Sequence, residues 1–90
     1  MAYATIMEFE VDLDTHIEIG KAFGDEPIKG IIVHAAGTSP NGVYSLDVWE
    51  TKDDADRFFA DRMLPALAQL NIAGGPPLSV QEFDLPFVQR

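Results

Sequence analysis

The stretch IIVHAAGTSPNGVYSLDVWE, residues 31 to 50, constrains the fold more than any other part of the chain. Two strand-forming runs flank a Pro-Asn-Gly turn, and that combination predicts an antiparallel hairpin. The strands are expected at 30–37 and 42–50. A tight turn places His34 opposite Asp47, Ala36 opposite Ser45 and Ile32 opposite Trp49. One histidine therefore interrupts the most apolar run, and the only tryptophan lies on the more polar strand.

The remaining elements follow from periodicity and breakers. Residues 2–11, AYATIMEFEV, are rich in β-branched and aromatic residues and predict a first strand. Thr15 three residues before Glu18 reads as a capping box, with Ile17, Ile19, Ala22 and Phe23 following and Gly24 as the stop, so a first helix is expected there. Thr51 caps a second helix over 52–70, with Asp53, Asp54 and Asp56 near its positive end and Phe59, Met63, Ala66, Leu67 and Leu70 at helical spacing. Pro65 falls inside that helix and predicts a kink, because it lacks an N–H and clashes with the carbonyl of Asp61. NIAGGPP reads as a loop, and LSVQEFDLPF as a fourth strand limited by Pro86.

The order βαββαβ is the ferredoxin-like arrangement, an α+β fold with a four-stranded antiparallel sheet and both helices on one face. With 90 residues and no linker or repeat, one domain over 1–90 is expected. A chain this short has a thin core. The second strand is apolar at both parities, as in a strand buried on both sides, so something must cover the face the helices leave open. Assigning the apolar Tyr44, Leu46 and Val48 to the helix side leaves His34, Ser45, Asp47 and Trp49 on the open face. That predicts a homodimer joined through the open sheet faces, with these residues lining a cavity between two chains.

Fifteen acidic and six basic residues give a formal charge of −9, which disfavours nucleic acid and anionic membrane surfaces as partners. No window predicts a signal peptide or membrane span, and cysteine is absent, so no thiolate chemistry is available and a cytoplasmic protein is expected.

The segments GIIVHAAG, the Gly42 turn, DVWET running into DADRFFADRMLPAL, and the GGPP loop resemble the dimeric α/β-barrel superfamily, in its branch of small antibiotic-biosynthesis-monooxygenase-like domains. The resemblance spans nearly the whole chain. It implies pairing through the open sheet faces and a ligand site inside each half-barrel. It also implies a range of reactions, including cofactor-free quinone-forming monooxygenation, polyketide cyclisation, lactone isomerisation and haem degradation. The haem-degrading branch carries a ligating histidine on the second helix. Residues 52–70 contain none, so no haem is expected.

The chemistry-bearing residues then sort by type. His34 opposite Asp47 is a candidate acid–base pair, with the carboxylate fixing the imidazole tautomer and raising its basicity. The alternative is that His34 hydrogen-bonds across an interface. Ser45 is expected to position a hydrophobic, aromatic or polyketide-like ligand, and Trp49 and Ile32 to wall it, with interface packing as the alternative for Trp49. Glu8, the polar position in the middle of the first strand, is expected either to reach the same cavity or to sit at its rim. His16 reads as solvated. Two histidines without clustered carboxylate spacing give no metal site, and no other cofactor is expected. The two main functional readings are a cofactor-independent enzyme of the monooxygenase, cyclase or isomerase kind, and a non-catalytic dimeric binding or assembly protein; a haem or flavin oxidoreductase is a third class behind them.

Overall fold

The computed structural model describes residues 1–22, 27–69 and 77–89. Its elements run β1 (Ala2–Phe9), α1 (Leu13–Ala22), β2 (Ile31–Ser39), β3 (Gly42–Trp49), α2 (Lys52–Phe58), a π-helical turn (Phe59–Met63), α3 (Leu64–Gln69) and β4 (Ser79–Leu85). The strands form one antiparallel sheet in the order β2-β3-β1-β4. Both α1 and α2 pack on β3, and α1 touches α3. This is the expected ferredoxin-like α+β architecture, with the helices on one face.

Helix α1 begins earlier than the Thr15–Glu18 box suggests. Asp12 is the cap: its Oδ1 accepts from the Thr15 N–H at 2.7 Å, satisfying one of the orphan donors of the first turn. The expected stop at Gly24, and Phe23 before it, lie outside the described residues, as do Leu70 and the loop 71–76.

The hairpin closes at Ser39 opposite Gly42, and His34 opposite Asp47 and Ala36 opposite Ser45 follow the tight-turn register. Gly42 is dictated by a close backbone approach, since a Cβ there would lie 2.1 Å from the Phe9 carbonyl oxygen. The register then slips at a bulge between Ile31 and Val33, so that Ile31, and not Ile32, stands opposite Trp49. The bulge inserts one unpaired residue. It lies beside Gly30, whose φ of 84° is a left-handed conformation and whose carbonyl accepts from the Glu50 N–H at 2.7 Å.

Thr51 caps α2 as expected. Its backbone is extended, with φ −144° and ψ 160°. Its Oγ1 accepts from the Asp54 N–H at 3.1 Å and donates to Asp54 Oδ2 at 2.9 Å. The predicted kink takes the form of a π turn. The Leu64 N–H reaches back five residues to the Phe59 carbonyl, widening the helix one residue ahead of Pro65, where the proline ring would otherwise meet the Asp61 carbonyl. One consequence is that Phe59 and Leu64 are half exposed.

The face assignment of β3 is the reverse of the sequence expectation. Val43, Ser45 and Trp49 are 0%, 5% and 3% exposed, whereas Tyr44 and Leu46 are 44% and 38% exposed. The Trp49 ring packs on Phe58 of α2 at a centroid separation of 5.3 Å. The odd positions of β3 thus lie under the helices, together with Tyr3 and Thr5 of β1 and His34 of β2, their cross-strand partners. The physical reason is that Val43 and Trp49 supply the buried bulk, while the polar side chains between them satisfy one another. Strand β2, expected to be buried on both sides, is an edge strand with Val33 through Thr38 exposed. The open face carries Val33, Tyr44, Leu46 and Phe83, all large and exposed.

Candidate functional site

The hairpin register sets His34 and Asp47 side by side on the helix-covered face, and their side chains bond: His34 Nδ1–H donates to Asp47 Oδ1. Ser45, two residues before Asp47 and therefore on the same face, donates from Oγ to Asp47 Oδ2 at 3.4 Å. Both carboxylate oxygens are engaged. The His34 side chain is 49% exposed and that of Asp47 18%, so the imidazole is half open to solvent while the carboxylate is mostly covered. The Asp47 hydrogen bond raises the His34 pKa above its usual 6.5, partial burial opposes it, and the charge on Asp47 adds to the rise.

A fourth residue joins from above. His16 of α1 stacks on His34, with centroids 5.7 Å apart and planes 20° from parallel. Burial lowers its pKa below the usual 6.5, the charge of His34 lowers it further, and Asp47 partly compensates. Sequence reasoning placed His16 in solvent. The overlooked signal is that His16 lies three residues before Ile19, the buried residue of α1, and residues three apart share a helix face.

The other predicted site residues are dispersed. Trp49 shares the covered face but is core, enclosed against Phe58 instead of walling a cavity between two chains. Ile32 sits in the bulge and lines an open groove of about 500 Å³ with Val33, Val48, Leu85 and Phe87. Glu8 pairs with Tyr44 and Ser79 and so belongs to the opposite sheet face from His34. Its side chain is 8% exposed with Oε2 buried and unpartnered. A second concavity, of about 140 Å³, lies between Ile28, Lys29, Arg57 and Phe58. Neither concavity includes His34, Ser45 or Asp47.

The arrangement can hold a proton, position a polar group and orient an imidazole. Among the described residues no group of three or more His, Asp or Glu side chains is placed to hold a metal ion. No helix among them is long and apolar enough to cross a membrane.

No family model matches the sequence, and no curated protein matches it. Solved structures do match in shape. A candidate antibiotic biosynthesis monooxygenase from Chloroflexus aurantiacus J-10-fl superposes with a TM-score of 0.75 at 12% identity, over 100% of this chain and 98% of the other. A conserved protein from Methanosarcina mazei Go1 gives a TM-score of 0.70 at 13% identity, over 93% and 92%. SnoaB, a cofactor-independent oxygenase from Streptomyces nogalater, gives 0.58 at 16% identity, over 97% and 93%. At these identities the likeness is one of fold, and it extends along nearly the full length of each chain. The chain therefore shares the fold of these proteins, a ferredoxin-like α+β arrangement of one four-stranded antiparallel sheet with its helices on one face.

Proposed function

We propose that this protein binds a hydrophobic, aromatic or polyketide-like small molecule beside the half-exposed His34 and transforms it without a resident cofactor, as a monooxygenase, cyclase or isomerase. The observation that carries this reading is the His34–Asp47 bond with Ser45 on the second carboxylate oxygen. A carboxylate on Nδ1 fixes the tautomer and leaves Nε2 for a substrate proton. His34 is the acid–base group, Asp47 orients it, and Ser45 positions the ligand. The cofactor-independent oxygenase among the structures of like fold supports the absence of a prosthetic group. The test is turnover of a panel of naphthols and aryl 1,3-diketones, first by the wild type and then by His34→Ala. Turnover that His34→Ala leaves unchanged sinks the assignment.

A cytoplasmic homodimer is the second part of the proposal, and the open face supports the pairing. Val33, Tyr44, Leu46 and Phe83 form an exposed apolar surface, and a second copy would cover it. Light scattering after size exclusion is expected to give twice the 9.9 kDa chain mass, and Leu46→Lys with Tyr44→Lys to give the monomer. A wild type that runs as a monomer refutes the dimer. Dimer formation with no turnover or ligand binding by any compound favours a binding or assembly protein instead.

A further inference from the structure

We propose that His16 and His34 form one acid–base couple in which His34, on β2, carries the proton and His16, on α1, presents the lone pair. The couple exists independently of any substrate; its catalytic use rests on the function proposed above.

The two imidazoles differ in their surroundings, though they stack at 5.7 Å. His34 has a carboxylate on Nδ1. His16 has no comparable partner: its backbone N–H bonds the Asp12 carbonyl at 3.1 Å, and the Asp12 side chain is taken by the Thr15 N–H. A first proton therefore settles where its counter-ion lies. A second would place two like charges in stacked contact beside one carboxylate, in a partly desolvated setting that magnifies repulsion. Among the described residues, the titratable groups facing His16 are His34 from β2 and Asp47 from β3. Helix α3 contributes none between Leu64 and Gln69. On α1 itself, Glu18 is engaged by Lys21 at 3.2 Å. The opposed pKa directions of the two rings agree with this asymmetry. Neighbouring titratable groups pushed apart in this way divide the roles of acid and base.

The matching substrate class is a ketone with an acidic C–H next to its carbonyl. His16 takes that proton as the C–H bond breaks, the electron pair becomes the C=C bond, and the carbonyl oxygen receives the proton of His34. The product is the enol, with His16 cationic and His34 neutral. One proton has entered the couple and one has left it, and no oxidant is consumed. Exchange with water resets the pair.

The test begins with an NMR pH titration of both imidazoles in the wild type, Asp47→Asn and His34→Gln. We expect His34 to titrate at higher pH than His16, Asp47→Asn to lower the His34 midpoint, and His34→Gln to raise that of His16. A His16 midpoint at or above that of His34, or one unmoved in His34→Gln, overturns the couple while leaving the role of His34 in the proposed function intact. Deuterium incorporation next to the carbonyl of 2-tetralone in D2O then tests its use. The wild type is expected to accelerate it, and His16→Phe, which keeps a stacking ring and removes the lone pair, to lose about a hundredfold of that acceleration. A couple that titrates in the stated order without accelerating exchange overturns the carbonyl step. Exchange that survives His16→Phe but not His34→Gln overturns the assignment of the base.

Discussion

Gly30→Ala is expected to be among the most damaging single-methyl changes available to this chain. Gly30 has φ 84°, and a Cβ there would fall 2.3 Å from both Cγ and Oδ2 of Asp54 and 2.5 Å from its Cβ. Asp54 is not free to swing aside. It is 9% exposed, exchanges hydrogen bonds with Thr51 at 2.9 and 3.1 Å, and accepts from Arg57 at 3.4 Å. The left-handed backbone alone costs an L-residue about 1–2 kcal/mol, and displacing Asp54 from its exchange with the α2 cap about 1 kcal/mol more. Against a total stability of roughly 5–13 kcal/mol for 90 residues, the resulting loss of about 2–3 kcal/mol lowers the melting temperature by at least about 8 °C. Thermal and urea unfolding measure it. Because the clash and the cap share Asp54, Gly30→Ala and Asp54→Ala must be less than additive in the double variant. A Gly30→Ala cost below about 0.5 kcal/mol, or strict additivity, refutes the reasoning. The same residue pins the start of β2 through its carbonyl, so the His34–Asp47 register should loosen with it.

Trp49→Ala is expected to cost about 3–5 kcal/mol in urea unfolding, because a 3% exposed ring packed on Phe58 leaves a cavity; its oligomeric state should match that of the wild type, since the ring does not face the open side. Glu8→Met removes a buried carboxylate oxygen that has no partner and should raise stability by up to about 1 kcal/mol, with a lower urea midpoint as the contrary result. Stability should depend on pH through both histidines. The pKa of His34 is raised on folding, so its contribution is fully present below the usual 6.5 and is lost as pH rises through the folded value. His16 has the opposite sign: its contribution is present above 6.5 and is lost as pH falls through its lowered value. The gap in urea midpoint between wild type and Asp47→Asn should therefore narrow as pH rises from 6 toward 9, and a gap that widens refutes the pairing.

The strands, the hairpin register at His34 and Asp47, the Thr51 cap and the element order were all legible in the chain because each rests on local chemistry. Turn residues set a register, a hydroxyl caps a helix, and a period of two groups side chains by face. Ile32 escaped because a bulge, which β2 accommodates beside the left-handed Gly30, has no signature in an otherwise uniform apolar run. His16 is hidden in the sequence because the polar composition of α1 masks its spacing to the buried Ile19. The π turn was only half visible: Pro65 required a disturbance, but whether the helix would bend or widen depended on Leu64 finding the Phe59 carbonyl.

The inverted face of β3 has a deeper cause. Alternation determines which side chains travel together, so Ser45, Asp47 and Trp49 were correctly grouped, yet it is silent on which group turns inward. Hydrophobicity summed over the strand favoured Tyr44, Leu46 and Val48. That sum treats each polar residue as a separate burial penalty, and the penalty falls when polar atoms bond one another. Ser45 and His34 occupy both oxygens of Asp47, so the polar centre of the covered face is largely satisfied from within. Val43 and Trp49 at its ends supply the apolar contact. The apolar Tyr44 and Leu46 are left outward, on the face through which the proposed dimer would pair. The proposed site and the proposed interface thereby fall on opposite faces of one sheet: substitutions at Tyr44 and Leu46 should change mass without moving the imidazole titrations, and substitutions at Asp47 should do the reverse.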